Sequence, residues 1–279
     1  ADARAPQSLR ETIERDRERA AARARAPFWR RHRWGLAATG TAAAALAACG
    51  KAVLLIDIDP QGNASTGLGI QSAARRVTSY DLILGEAKLA DAVLRTQIPG
   101  FALVPSVVDL SAAEVELVER PRREYRLKDA LAAADKDYDY VLIGCPPSLD
   151  LLTVNALVAA RAALVPLQCE FFALEGLSLL LRTVDRVRRS FNAEIEVQGV
   201  LLTMFDRRNN LAQQVATDVR SFLGKRVYDT VIPRNVRVSE APSHGMPVLL
   251  YDFRCPGAQA YVQLAGEVLR REQLAEAAV

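Results

Sequence analysis

Two hydrophobic patterns alternate along this chain. Short runs rich in Val, Ile and Leu lie at 52–56, 102–105, 140–143, 163–166, 195–203 and 227–232. Flanking and separating them, an Ala-rich stretch lies at 41–48, and apolar residues recur every three or four positions within more polar stretches at 127–135, 174–190, 211–223 and 258–274. The first pattern predicts buried strands, the last of them at a sheet edge, and the second predicts amphipathic helices. Strands separated by helices need right-handed crossovers. The predicted fold class is therefore α/β: a doubly wound, mostly parallel sheet with helices on both faces. No internal repeat interrupts the alternation.

Residues 1–34 break the pattern. They hold ten Arg against five Asp or Glu and few large apolar residues, such as Leu9 and Ile13. Ser8 and Glu11 form a capping box, and Pro27 stops whatever helix starts there. Such a segment buries little surface, so residues 1–34 read as a basic helical or disordered leader, and 35–279 as one large domain. Overall charge is +3, but most of the excess sits in the leader. A nucleic-acid contact by the body then needs a local basic patch.

Four cysteines stand far apart without a Cys-x-x-Cys pair, and there are two histidines. That argues against a Cys/His metal site and for reduced thiols in a cytoplasmic protein. Arg30 to Arg33, the following small-residue run and Leu46-Ala47-Ala48-Cys49 have the outline of a lipoprotein signal. The outline starts thirty residues in, and cleavage would tether Cys49 beside a strand. An Ala-rich helix closed by Gly50 is the better reading, and Lys51 interrupts any membrane span.

Two segments carry candidate chemistry. In Val53 to Gly67 an apolar run ends in Asp57 and Asp59 and breaks at Pro60 and Gly62. That delivers carboxylates to the carboxyl edge of a parallel sheet, where α/β proteins bind ligands. In Tyr138 to Ser148 a second apolar run breaks at Pro146 and Pro147, with Gly144 at its tip.

These segments, with Pro105-Ser106, Asp109-Leu110-Ser111, Pro233-Arg234-Asn235-Val236-Arg237 and Glu240-Ala241-Pro242-Ser243-His244-Gly245, resemble the ParA/Soj family of partitioning ATPases, deviant-Walker relatives of MinD. The resemblance runs from about Thr41 to about Val268. It implies a P-loop NTPase-like scaffold, ATP and Mg as cofactors, a homodimer with nucleotide between subunits, non-specific DNA (the nucleoid), and a ParB-type partner. It implies a catalytic role for Asp59 and places Asp57 near nucleotide and magnesium. Pro146 and Pro147 fall in a switch segment, and Pro233, Arg234 and Asn235 beside the adenine. Arg208 and Arg237 match arginines that touch DNA phosphates.

Departures from the family pattern shape the functional expectation. Counting back from Gly50-Lys51 sets the family's Lys-Gly-Gly-Val-Gly-Lys-Thr loop on Arg30-Arg31-His32-Arg33-Trp34-Gly35-Leu36. The phosphate-binding lysine falls on Gly35, the magnesium-binding threonine on Leu36 and the cross-dimer lysine on Arg30. Glycines let such a loop curl around phosphate, and Arg-Arg-His-Arg-Trp does not follow that path cheaply. Gly144 stands where nucleotide hydrolases place an aspartate. The expectation is a partition protein with impaired ATP hydrolysis. A DNA- or partner-binding pseudo-ATPase, or a frameshifted reading of an active ATPase, would give the same sequence.

Blander readings fit other residues. His244 reads as a loop-structuring residue, Phe171 and Phe172 as core or interface, and Glu114, Glu116 and Glu119 as a solvated helix face. The C-terminal helix carries both signs of charge, unlike a basic membrane tail.

Overall fold

The computed structural model describes residues 33–132, 137–146, 148 and 150–277. The first described element, α1 (Arg33–Ala48), is an Ala-rich helix. It ends where Gly50 takes a φ of 82°, which only glycine adopts without strain. The pattern predicted its start at 41. Among the described residues the helix already includes Arg33, so Gly35 and Leu36 have helical backbone, and Arg30 lies outside the described residues.

Two sheets follow. The first has strand order β2-β3-β1-β4, with β1 (Val53–Asp57), β2 (Leu94–Arg95), β3 (Phe101–Val104) and β4 (Tyr140–Gly144). The second has order β5-β6-β7, with β5 (Ala162–Gln168), β6 (Glu196–Phe205) and β7 (Val227–Pro233) at the edge. Only β2 runs antiparallel to its neighbour. The α/β class with mostly parallel strands is as the sequence predicts, although the strands form two sheets. Among the described residues, β4 pairs only with β1, and β5 only with β6.

Strand alternation sorts β1 onto two cores. Val53 and Leu55 join Phe101 and Leu103 in a cluster with α1 and the last helix, α12 (Pro256–Glu276). Leu54 and Ile56 join Ala102 and Val104 in a second cluster with Leu82, Leu110, Leu127 and Leu152. A strand covered on both faces must be apolar throughout, and all five residues of β1 are buried. The first cluster continues to Leu201, Tyr228 and Ile232, so one core underlies both sheets.

The helix α12 also ties the sheets by polar contacts. Glu272 accepts from the Tyr140 hydroxyl of β4 and from Gln198 Nε2 of β6, the latter at 2.9 Å. One turn earlier Glu267 accepts the N–H groups of Asp229 and Thr230, each at 2.9 Å, and pairs with Arg271 at 2.7 Å.

Some local expectations need correction. Phe171 and Phe172 are 73% and 55% exposed, so they are not core residues. Glu116 and Glu119 are exposed on and beyond α5 (Leu110–Glu116), but Glu114 is half-buried and accepts the Leu152 N–H at 3.5 Å. His244 does structure a loop, with its ring stacked on Tyr251 at 4.8 Å. Among the described residues, no helix is long and apolar enough to cross a membrane.

Candidate functional site

The carboxyl ends of β1 and β4 form the acidic half of the site. Asp57 is fully buried. Its Oδ2 accepts the Ser65 N–H at 2.9 Å and the Ser65 hydroxyl at 2.7 Å, and its Oδ1 accepts the Asp59 N–H at 3.3 Å. Ser65 lies in the short helix α2 (Asn63–Gly67), and its Oγ accepts the Ser106 N–H at 3.0 Å. One carboxylate thus knits the loop after β1, the helix behind it and the loop after β3. Burial pushes the Asp57 pKa up to about 6, against the Ser65 hydrogen bonds that lower it.

Gly62 allows the loop to turn. Its φ is +58°, and an added Cβ would stand 2.7 Å from Arg75 Nη1 and 3.2 Å from the Ser106 carbonyl oxygen. Arg75 clasps this region. Its Nη1 donates to the Ser106 carbonyl at 3.1 Å, and its Nη2 donates to Thr66 Oγ1 at 2.8 Å and to the Ile70 carbonyl at 2.7 Å.

Asp59 is also buried, at 4% exposure. Its Oδ1 accepts the Gln61 N–H at 3.0 Å and its Oδ2 accepts from Asn63 Nδ2 at 3.4 Å. Burial raises its pKa, the Gln61 and Asn63 bonds oppose the rise, and the Asp150 charge adds to it.

Gly144 at the tip of β4 stands directly across from Asp57 in the strand register. It contributes only its carbonyl, which accepts the Ile58 N–H at 2.9 Å. The Cys145 thiol is pushed up to about 11, chiefly by burial. The Pro146 carbonyl accepts from Thr153 Oγ1 at 3.4 Å, and Pro147 lies outside the described residues. Asp150 caps α7 (Leu151–Ala159) by accepting the Thr153 N–H at 3.1 Å.

The other predicted residues sit at the ends of β6 and β7, on the second sheet. Phe205 pairs with Pro233, and the Arg234 N–H donates to the Phe205 carbonyl at 3.0 Å. Asn235 caps α10 (Val236–Glu240) by accepting the Arg237 N–H at 2.9 Å. Arg208 is held in a turn by Asp206, and Arg237 contacts Glu240 and Asp252. Ser65, Ser106, Arg75 and Asp150 were not singled out as site residues from the sequence. Ser65 lies inside the Val53 to Gly67 segment and Ser106 in the Pro105-Ser106 motif, but neither Arg75 nor Asp150 carried a signal beyond proximity.

These side chains do not fit a magnesium-bound nucleotide. Asp57 has both oxygens engaged by protein donors, Gly144 has no side chain, and Gly35 and Leu36, aligned with the phosphate loop's lysine and threonine, offer neither an ammonium nor a hydroxyl. Among the described residues, no group of three His, Cys, Asp or Glu side chains is arranged to hold a metal ion.

Comparison with known proteins turns this geometry into a lineage. A family model described as an AAA domain matches residues 35–197. The chromosome partitioning protein ParA of Caulobacter vibrioides is 62% identical over 231 residues, covering 82% of this chain and 86% of that protein. The chain belongs to the ParA/Soj family of partitioning ATPases. The sporulation initiation inhibitor protein Soj of Bacillus subtilis, another member, is 51% identical over 81% of this chain and 89% of its own length.

Solved structures agree with the family's fold. The cell division ATPase MinD of Pyrococcus furiosus superimposes with a TM-score of 0.70 at 25% identity, covering 85% of this chain and 94% of that one. A cobyrinic acid a,c-diamide synthase from Mycobacterium smegmatis, solved with bound ADP and magnesium, gives 0.72 at 36% identity, covering 86% and 91%. The P-loop NTPase-like scaffold of the family is therefore present.

Proposed function

We propose that this chain is a DNA-partitioning protein that binds non-specific DNA and a ParB-type partner but hydrolyses little or no ATP. The observation that carries the second half is the register pair Asp57 and Gly144: one carboxylate is consumed by the fold and the other is missing. Phosphoryl transfer depends almost wholly on placed charges around the phosphates. Loss of one such element commonly costs on the order of a hundredfold in rate. Here the strand-tip carboxylate and the glycine loop are both lacking, and no step through magnesium or nucleotide follows from these residues.

Family membership supports the first half, together with the exposed placement of Arg208 on a turn and of Arg237 at the start of α10. In this reading the protein is cytoplasmic and nucleoid-associated, and its role is chromosome or plasmid segregation. Members of the family dimerise around nucleotide, and a chain that binds none relies on an intact paralogue for that step. Asp59, Pro146, Pro233, Arg234 and Asn235 then retain the positions of the ancestral nucleotide site without its chemistry.

The test is calorimetric titration of the full chain with ATP and magnesium, paired with a phosphate-release assay containing DNA and a ParB-type protein. No micromolar binding and no stimulated turnover are expected. Magnesium-dependent turnover stimulated by both additions would overturn the proposal.

A further inference from the structure

The arginines of the proposed DNA surface are not bare. Arg208 is 91% exposed, yet its guanidinium grips Asp206 with two prongs: Nε to Oδ1 at 3.2 Å and Nη2 to Oδ2 at 3.2 Å. The backbone N–H of Arg208 donates to the same Oδ1 at 3.0 Å. Two parallel guanidinium bonds plus a backbone donor form the pattern by which arginine takes a phosphate. Asp206 lies where two phosphate oxygens would be held.

Arg237 is paired differently, with one contact to each of two carboxylates. Its Nη1 bonds Glu240 Oε2 at 3.0 Å and its Nε lies 3.6 Å from Asp252 Oδ2. The Tyr251 hydroxyl also donates to Glu240, at 3.3 Å. By contrast Arg207 makes no ion pair among the described residues, and Arg234 adds its charge to the surroundings of Asp206.

We infer that Asp206, with Glu240 and Asp252, acts as an internal phosphate mimic that sets the DNA affinity of this surface. A DNA phosphate competes with a carboxylate for the paired Nε and Nη2 edge of Arg208 and meets its negative charge beside Arg208 and Arg237, so each pair lowers affinity and offsets the release of counterions from DNA. The lowered pKa of Asp206, caused by the Arg208 hydrogen bonds, fits a carboxylate that stays charged and competes at neutral pH. The inference rests on the DNA-binding reading above and adds that the protein's own acids tune the binding.

The experiment is fluorescence anisotropy of a labelled duplex of arbitrary sequence with the full chain, from about 50 to 200 mM salt. The variants are D206N, E240Q, the double variant and R208A. Asparagine keeps the oxygen that caps the Arg208 N–H while removing the charge. D206N is expected to bind about two- to fivefold tighter, as for loss of one exposed ion-pair competitor. Its salt dependence should steepen by up to about 0.9 in log–log slope, one further phosphate contact. E240Q should give a smaller gain because Asp252 remains, and the double variant should exceed both.

An unchanged circular dichroism spectrum and melting temperature show that a gain in affinity does not come from misfolding. Unchanged or weaker binding by D206N and E240Q, with wild type bound and R208A impaired, overturns the mimic and leaves the DNA reading standing. Absence of binding by every chain, wild type included, sinks the DNA reading and the mimic with it.

Discussion

Asp57 and Gly144 occupy the same level of adjacent strands, one at the tip of β1 and the other at the tip of β4. The β1 tip is a dense knot. Its carboxylate takes three protein donors, a serine relay reaches the next loop, and an arginine clasp closes the back. The β4 tip offers a carbonyl and then Pro146, whose own carbonyl accepts from Thr153. The pair teaches that a family's acidic residues need not share a fate. The residue woven into the fold is costly to lose whatever happens to catalysis, whereas a residue that serves only a ligand carries no such structural cost when it changes.

The sharpest way to break this comparison is a matched pair of truncations. Asp57→Ala leaves the Ser65 N–H, the Ser65 hydroxyl and the Asp59 N–H without an acceptor in the interior. It should cost about 3–5 kcal/mol in urea unfolding. Pro146→Ala at the other tip should cost under about 1 kcal/mol, mostly through the unfolded chain. Similar losses at both tips would erase the distinction.

The next effect is in pH. The Asp57 pKa is raised from 3.8 to about 6. Between those values the folded chain keeps a proton that the unfolded chain has lost. The stability this residue contributes is therefore fully present below pH 3.8, falls as pH rises and is gone above about 6. The full drop is about 3 kcal/mol, and it should vanish in Asp57→Asn. A wild-type-minus-variant difference that stays flat from pH 4 to pH 6.5 would contradict the burial argument.

The smallest effect lies in the turn itself. Gly62→Ala forces a side chain into a left-handed backbone and against Arg75, and should cost about 1–2 kcal/mol by thermal unfolding. No loss would mean that the clasp yields, and that the β1 loop is less knotted than its hydrogen bonds suggest.

The fold was legible in the sequence to the extent that periodicity carries it. The apolar runs at 52–56 and 140–143 became β1 and β4 because both faces of such strands are covered. The division into two sheets was not legible, since pairing partners depend on distant residues that leave no mark on local pattern. The extension of α1 back to at least Arg33 was missed for a similar reason. Arg and Trp are acceptable helix residues, but nothing in that stretch signals a helix start. At the site, Asp57 and Asp59 stood out because carboxylates at the end of an apolar run are conspicuous. Ser65, Ser106 and Arg75 were hidden because their roles arise only when three loops meet. Phe171 and Phe172 were read as core or interface, and their exposure removes the first option without deciding the second.

Glu272 has a consequence in time as well as in space. It joins Tyr140 of one sheet to Gln198 of the other, yet it follows both by more than seventy positions. On the ribosome both sheets are made well before this residue that bridges them. The helix after β4 already packs Leu157 and Val158 on Val184, Val187 and Ile195, so α12 is the last of the ties between the sheets to be synthesised and not the first.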